Sequence, residues 1–229
     1  MWKKQTQLVI WSVLLFVCFG QMVISAEGSL TVTPDSQRIP QNLEKPPVII
    51  IPGILGSELI NEKTGETVWF RISRSEDDDL RLPISLDLKQ SRDNLLAGDI
   101  LRTIDLRLLP DVKIYQEVVD SLKSKAGYEE ASWDKPPRDL NGKFFVFPYD
   151  WRRDNVETAR NLINKIDRLR AKSATPRAKF DVLAHSMGGL IVRYAAMYGR
   201  ADLPKGKPRP TWIGTRYFNK VFFFGTVIF

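Results

Sequence analysis

The chain has 229 residues, 43% hydrophobic and 10% aromatic, which suffices for one packed domain and excludes a disordered polymer. Its 34 basic residues outnumber 27 acidic ones, but the excess is spread along the chain rather than clustered, so nucleic acid is set aside as a partner. One cysteine (Cys18) and one histidine (His185) leave no material for a disulfide framework or a zinc-thiolate site, and neither cofactor nor metal is expected.

In chain order, "MWKKQTQ", the apolar run "LVIWSVLLFVCFG" and "VISA" have the layout of a secretory signal peptide cleaved after Ala26, with Ile24 and Ala26 at the −3 and −1 positions. The rival is an uncleaved anchor, because the apolar run approaches the ~20 residues that span a bilayer. Cleavage removes Cys18, Lys3 and Lys4, and 32 basic residues then face 27 acidic ones, a net of +5. Residues 27–46 read as an extended, proline-bearing leader. The domain follows over 47–229 and opens with "PPVIIIPG", a fully apolar β-branched run typical of a buried strand. The interval 70–111, with its acidic run from Glu76 to Asp79, breaks the pattern and reads as an excursion or lid. A helix is expected over 112–126, stopped at Gly127, and a second buried strand over 143–150. Leu162, Ile163, Ile166 and Leu169 mark the apolar face of a helix over 156–171. "AKFDVLAHS" is the third strand, "GGLIVRYAAMYGR" the next helix and "NKVFFFGTVIF" the fourth strand. This alternation specifies an α/β fold with a mostly parallel sheet and flanking helices.

The chemistry centres on "FDVLAHSMGGLIVRY", residues 180–194. Ser186 falls between a β-branched strand and a helix, with small residues two before and two after it, Ala184 and Gly188, and Gly189 adding room. His185 completes the scaffold of the turn. That pattern presents a serine on a strained strand-to-helix elbow, where the helix N-terminus favours developing negative charge. An oxyanion hole then needs the Met187 amide and a second amide from the loop after an earlier strand, for which Ile54 in "VIIIPGILGSEL" is suited.

Taken together, "PPVIIIPGILGSEL", "TGETVWF", "FPYDWR" and "DVLAHSMGG", in this order, resemble the lecithin:cholesterol acyltransferase family of α/β-hydrolases, and its bacterial and plant lipase-like members more than its animal ones. The resemblance covers residues 46–229. It implies a serine acyl-enzyme: the acyl group of a lipid ester (phospholipid or acylglycerol) passes to Ser186, then to water or to a sterol or other alcohol acceptor, at a membrane or lipid surface. It offers Ile54 and Met187 as oxyanion donors. Within "FPYDWR", Asp150, Trp151 and Arg152 read as support for the pocket, because the family's catalytic acid lies later in the chain.

An α/β-hydrolase triad runs Ser, then acid, then His. Only 43 residues follow Ser186 and none is histidine, while His185 leaves the backbone away from the serine hydroxyl. In the family, "FFFGT" leads into proline and a glycine- and serine-bearing loop; here "FFFGTVIF" follows. The expectation is a C-terminally truncated domain, from a frameshift, a premature stop or an incomplete gene model, that lacks the last strands and is inactive alone. The alternatives are a non-catalytic or partner-completed lipid-binding protein and a generic carboxylesterase.

Overall fold

The computed structural model describes residues 45–71, 79–82, 84–87, 90, 92–104, 111–203 and 205–227. The signal peptide or anchor expected over 1–26, and nearly all of the leader expected over 27–46, lie outside the described residues. No described helix is long and apolar enough to cross a membrane.

Strand β1 (Val48–Ile51) is buried along its whole length because it is central: it pairs in parallel with β8 (Lys143–Val146) on one side and β9 (Phe180–His185) on the other. Two-sided burial is what an unbroken Val-Ile-Ile-Ile run requires. The five-stranded sheet adds β10 (Phe218–Phe224) outside β9 and the two-residue β7 (Glu129–Glu130) outside β8, every pair parallel. Helix α1 (Gln116–Ser124) precedes β7 and β8, α2 (Asn155–Lys172) returns the chain to β9, and α3 (Met187–Tyr198) leads on toward β10. From the neighbours β1 and β9 the chain therefore departs to opposite sides. The crevice beyond the carboxyl ends of two such strands is where open α/β sheets place ligands.

Helix α2 carries the densest basic stretch and buries Ala159, Leu162, Ile163, Ile166 and Leu169 in the main core. The Asp154 carboxylate accepts from the Val156 amide at 3.0 Å and caps its N-terminus, while Arg170 and Lys172 lie in its last turn. Both ends thus complement the helix dipole.

The structure departs from the sequence expectations in four places, the first being that the strand expected over 143–150 ends at Val146. The helix expected from 112 begins at Gln116, because Val112–Lys113 forms strand β6, antiparallel to β5 (Thr103–Ile104). The sheet has five strands rather than four, since Glu129–Glu130 is too short and polar to announce itself. A second, antiparallel sheet joins β2 (Ser57–Asn61), β3 (Thr67–Trp69) and β4 (Leu95–Ile100), so the last part of the 70–111 interval is a strand paired with the segment after β1. Gly98 and Asp99 hide β4 from a search for alternation, and the register shifts against β2. Leu59, Trp69 and Leu101 form this sheet's own core, packed against Leu55 and Trp151.

Candidate active site

Ser186 directly follows β9 and immediately precedes α3. Its backbone sits at φ 49°, ψ −120°, a region that a residue with a side chain occupies only under constraint. The constraint comes from three hydrogen bonds. The Ser186 amide donates to the Phe224 carbonyl at 2.8 Å, and the Ser186 carbonyl accepts from the Gly189 amide and the Thr226 hydroxyl, each at 2.9 Å. The residues ending and following β10 thus hold the turn from one side.

Close packing holds it from the other. A Cβ at Gly188 would stand 2.6 Å from the Pro52 carbonyl oxygen and 2.7 Å from that of Ile51, so the first turn of α3 lies directly on the end of β1. At Gly53 a Cβ would come within 3.0 Å of both Ser186 Cβ and His185 Nδ1. Ala184 is fully buried beneath the turn, and a side chain at Gly189 would collide with Thr226. The small residues the sequence places around Ser186 are therefore sterically required.

Ile54 follows Gly53 in a tight turn, closed by the Gly56 amide donating to the Gly53 carbonyl at 3.1 Å, and its side chain is exposed. Met187 is the first residue of α3, where backbone N–H groups have no intrahelical acceptor. The two amides expected to form an oxyanion hole are thereby carried by the turn packed against the Ser186 Cβ and by the residue that follows Ser186.

The "FPYDWR" block is bonded to the turn after β1. Tyr149 donates its hydroxyl to the Pro52 carbonyl at 2.9 Å, and its amide donates to Ser57 Oγ at 3.1 Å. Trp151 Nε1 donates to the Ser57 carbonyl at 3.2 Å, and its ring meets Trp69 edge-on. Arg152 is buried between two carboxylates, bonded to both oxygens of Asp93 (2.6 and 2.9 Å) and both of Asp150 (2.9 and 2.8 Å). Asp150 is therefore held by Arg152, and the block ties the turn after β1 to the start of β4.

His185 points into the fold. Its Nδ1 lies 2.8 Å from the Tyr115 hydroxyl, and its ring meets the Tyr115 ring edge-on. Tyr115 belongs to no motif in the sequence, and nothing there marks it as part of the site. Burial pushes the His185 pKa below its ordinary value of 6.5. A depressed folded-state pKa means that the unfolded chain takes the proton more readily. This contribution to stability is thus complete above pH 6.5 and is lost as pH falls through that value toward the lower one. Urea midpoints are expected to drop between about pH 7.5 and about pH 5.5, and His185→Asn is expected to shrink that drop. An equal drop in both proteins would assign it to carboxylates instead.

The family model described as lecithin:cholesterol acyltransferase matches residues 101–212, which include "FPYDWR" and the Ser186 turn but not the turn after β1. Lecithin-cholesterol acyltransferase-like 4 of Arabidopsis thaliana is 29% identical over 170 residues, covering 64% of this chain. The match spans 29% of that relative's length.

Proposed function

We propose, from the match of residues 101–212 to the lecithin:cholesterol acyltransferase family model, that the chain carries the nucleophile and oxyanion half of a serine-dependent lipid acyltransferase or lipase. The observation that carries the proposal is Ser186 itself: a strained residue at the head of α3, with the Gly53–Ile54 turn packed against its Cβ. In the reaction, Ser186 Oγ attacks the ester carbonyl of a phospholipid or acylglycerol. The carbonyl oxygen takes up negative charge facing the Ile54 and Met187 amides, the alcohol leaves, and the acyl group remains on Oγ until water or an alcohol acceptor removes it.

The attack needs a base for the serine proton, and the only imidazole of these 229 residues is engaged with Tyr115. On this reading the acid and the histidine come from outside these residues, and the 229-residue chain does not turn over alone. Export through the leader read at 1–26 and a lid within 70–111 belong to the same proposal.

A fluorophosphonate probe tests it. The 229-residue chain and its Ser186→Ala variant are expected to label equally slowly. Joining the acid- and histidine-bearing C-terminal segment of an active family member is expected to raise Ser186-dependent labelling by about 10³-fold or more. Rapid Ser186-dependent labelling of the chain alone would sink the claim of inactivity. Failure of the joined, folded protein to label would remove Ser186 from the role of nucleophile. Acyl release from phospholipid vesicles in preference to short-chain soluble esters would separate a lipid enzyme from a generic esterase.

A further inference from the structure

The peptide group between Pro52 and Gly53 is gripped at both ends by tyrosine hydroxyls. Its carbonyl accepts from Tyr149 Oη at 2.9 Å, and its N–H donates to Tyr115 Oη at 2.8 Å. Both rings are buried, and they come from opposite sides: Tyr115 from the segment before α1, Tyr149 from the segment after β8. The next amide along the chain is that of Ile54; it shares a planar peptide group with the Gly53 carbonyl, which the Gly56 amide holds at 3.1 Å, so Gly53 is fixed on both sides and the Ile54 N–H is aimed by both.

Tyr115 reaches further, because its oxygen is also 2.8 Å from His185 Nδ1. A backbone N–H can only donate, so toward Gly53 the phenol oxygen accepts. Burial raises the phenol pKa, and the group keeps its proton. Among the described residues the acceptor in reach of that proton is Nδ1, which assigns His185 as neutral imidazole with its own hydrogen on Nε2. The space around the hydroxyl is tight. A Cβ at Gly56 would stand 2.9 Å from Tyr115 Oη, so the turn wraps the phenol with no room for a side chain.

We propose that Tyr115 is a positioning residue for the oxyanion hole: with Tyr149 it locks the Pro52–Gly53 peptide, and through its bond to His185 Nδ1 it ties that turn to the Ser186–Met187 elbow. The inference rests on reading the Ile54 and Met187 amides as the oxyanion donors. Without the bridge, the two donors are carried by separate segments whose relative placement depends on packing alone, and a misplacement well under 1 Å weakens a hydrogen bond aimed at a fixed point.

Because these residues lack a base, the test is an equilibrium one. n-Butylboronic acid forms a B–O bond to a serine Oγ, releases the hydroxyl proton to solvent, and becomes a tetrahedral anion whose oxygen occupies the hole. Boron NMR of the full chain reads the adduct, and nitrogen NMR of the lone imidazole reads the tautomer without assignment ambiguity. Wild type is expected to form a Ser186-dependent adduct and to show hydrogen on Nε2. Tyr115→Phe and His185→Leu are expected to weaken the adduct about tenfold, whereas His185→Asn, whose Oδ1 can stand in for Nδ1, holds it within about twofold. Should Tyr115→Phe fail to fold, the two His185 variants carry the comparison. Unchanged boronate affinity in Tyr115→Phe or His185→Leu overturns the positioning role alone, as does an imidazole with its hydrogen on Nδ1. An adduct missing from wild type, or persisting in Ser186→Ala, overturns the oxyanion reading beneath it.

Discussion

Arg152→Ala is expected to lower the free energy of unfolding by about 3–5 kcal/mol, a large share of the 5–15 kcal/mol available to a domain. The Arg152 side chain is 4% exposed, and those of Asp150 and Asp93 are 9% and 20% exposed. Burial opposes ionisation of Asp93, yet the Arg152 hydrogen bonds and charge hold its carboxyl below the ordinary range. Burial likewise opposes the charge on Arg152, which the two carboxylates more than offset. Removing the guanidinium leaves two carboxylates facing each other in a poorly solvated site, and that unpaired charge, rather than the worth of one ion pair, is the source of the loss. Arg152→Lys is expected to fall between the two, since an ammonium keeps the charge but not the fork that meets both carboxylates. Urea unfolding of the three proteins checks the order. A loss under about 1 kcal/mol for the alanine variant would show that solvent or a neighbouring cation reaches the site.

Gly188→Ala is expected to have the second large effect, and it acts on geometry as well as stability. The added methyl would lie 2.6 and 2.7 Å from two carbonyl oxygens of the β1 end, and backbone oxygens cannot rotate away as a side chain can. Either α3 lifts from β1 or the turn after β1 moves, at a cost of about 1–3 kcal/mol for overpacking. Both movements separate the Met187 and Ile54 amides, so Ser186-dependent labelling of the joined, folded protein is expected to fall about 10²-fold or more. Retained labelling with lowered stability would mean that the displacement is absorbed away from the hole.

Much of the main sheet could be read before any coordinates. The Val48–Ile51 run, the stripe from Leu162 to Leu169 and the strand–serine–helix pattern around Ser186 are local signals, set by burial on two faces, by a 3.6-residue period and by the size of Ala184 and Gly188. The small antiparallel sheet was not legible, because β2, β3 and β4 are short, separated by a long interval, and stabilised by pairing between Ser57–Asn61 and Leu95–Ile100 rather than by propensity. Tyr115 carries no sequence signal for a related reason. A tyrosine at a core spacing looks like any other apolar residue until its hydroxyl is seen between Gly53 and His185.

By itself the sequence determined the α/β class, the elbow serine and the small residues that let it form, since each depends on neighbours within a few positions. It also determined that these 229 residues carry a single imidazole, which is a matter of counting. Only the tertiary structure decided what that imidazole does. The partner of His185 stands 70 residues earlier, and those of Arg152 include Asp93, 59 residues away. Hydrogen-bond partners so far apart in the chain leave no periodic or compositional trace. They exist because the parallel sheet brings the ends of β1, β8 and β9 together, and the polar groups gathered there must satisfy one another once water is excluded.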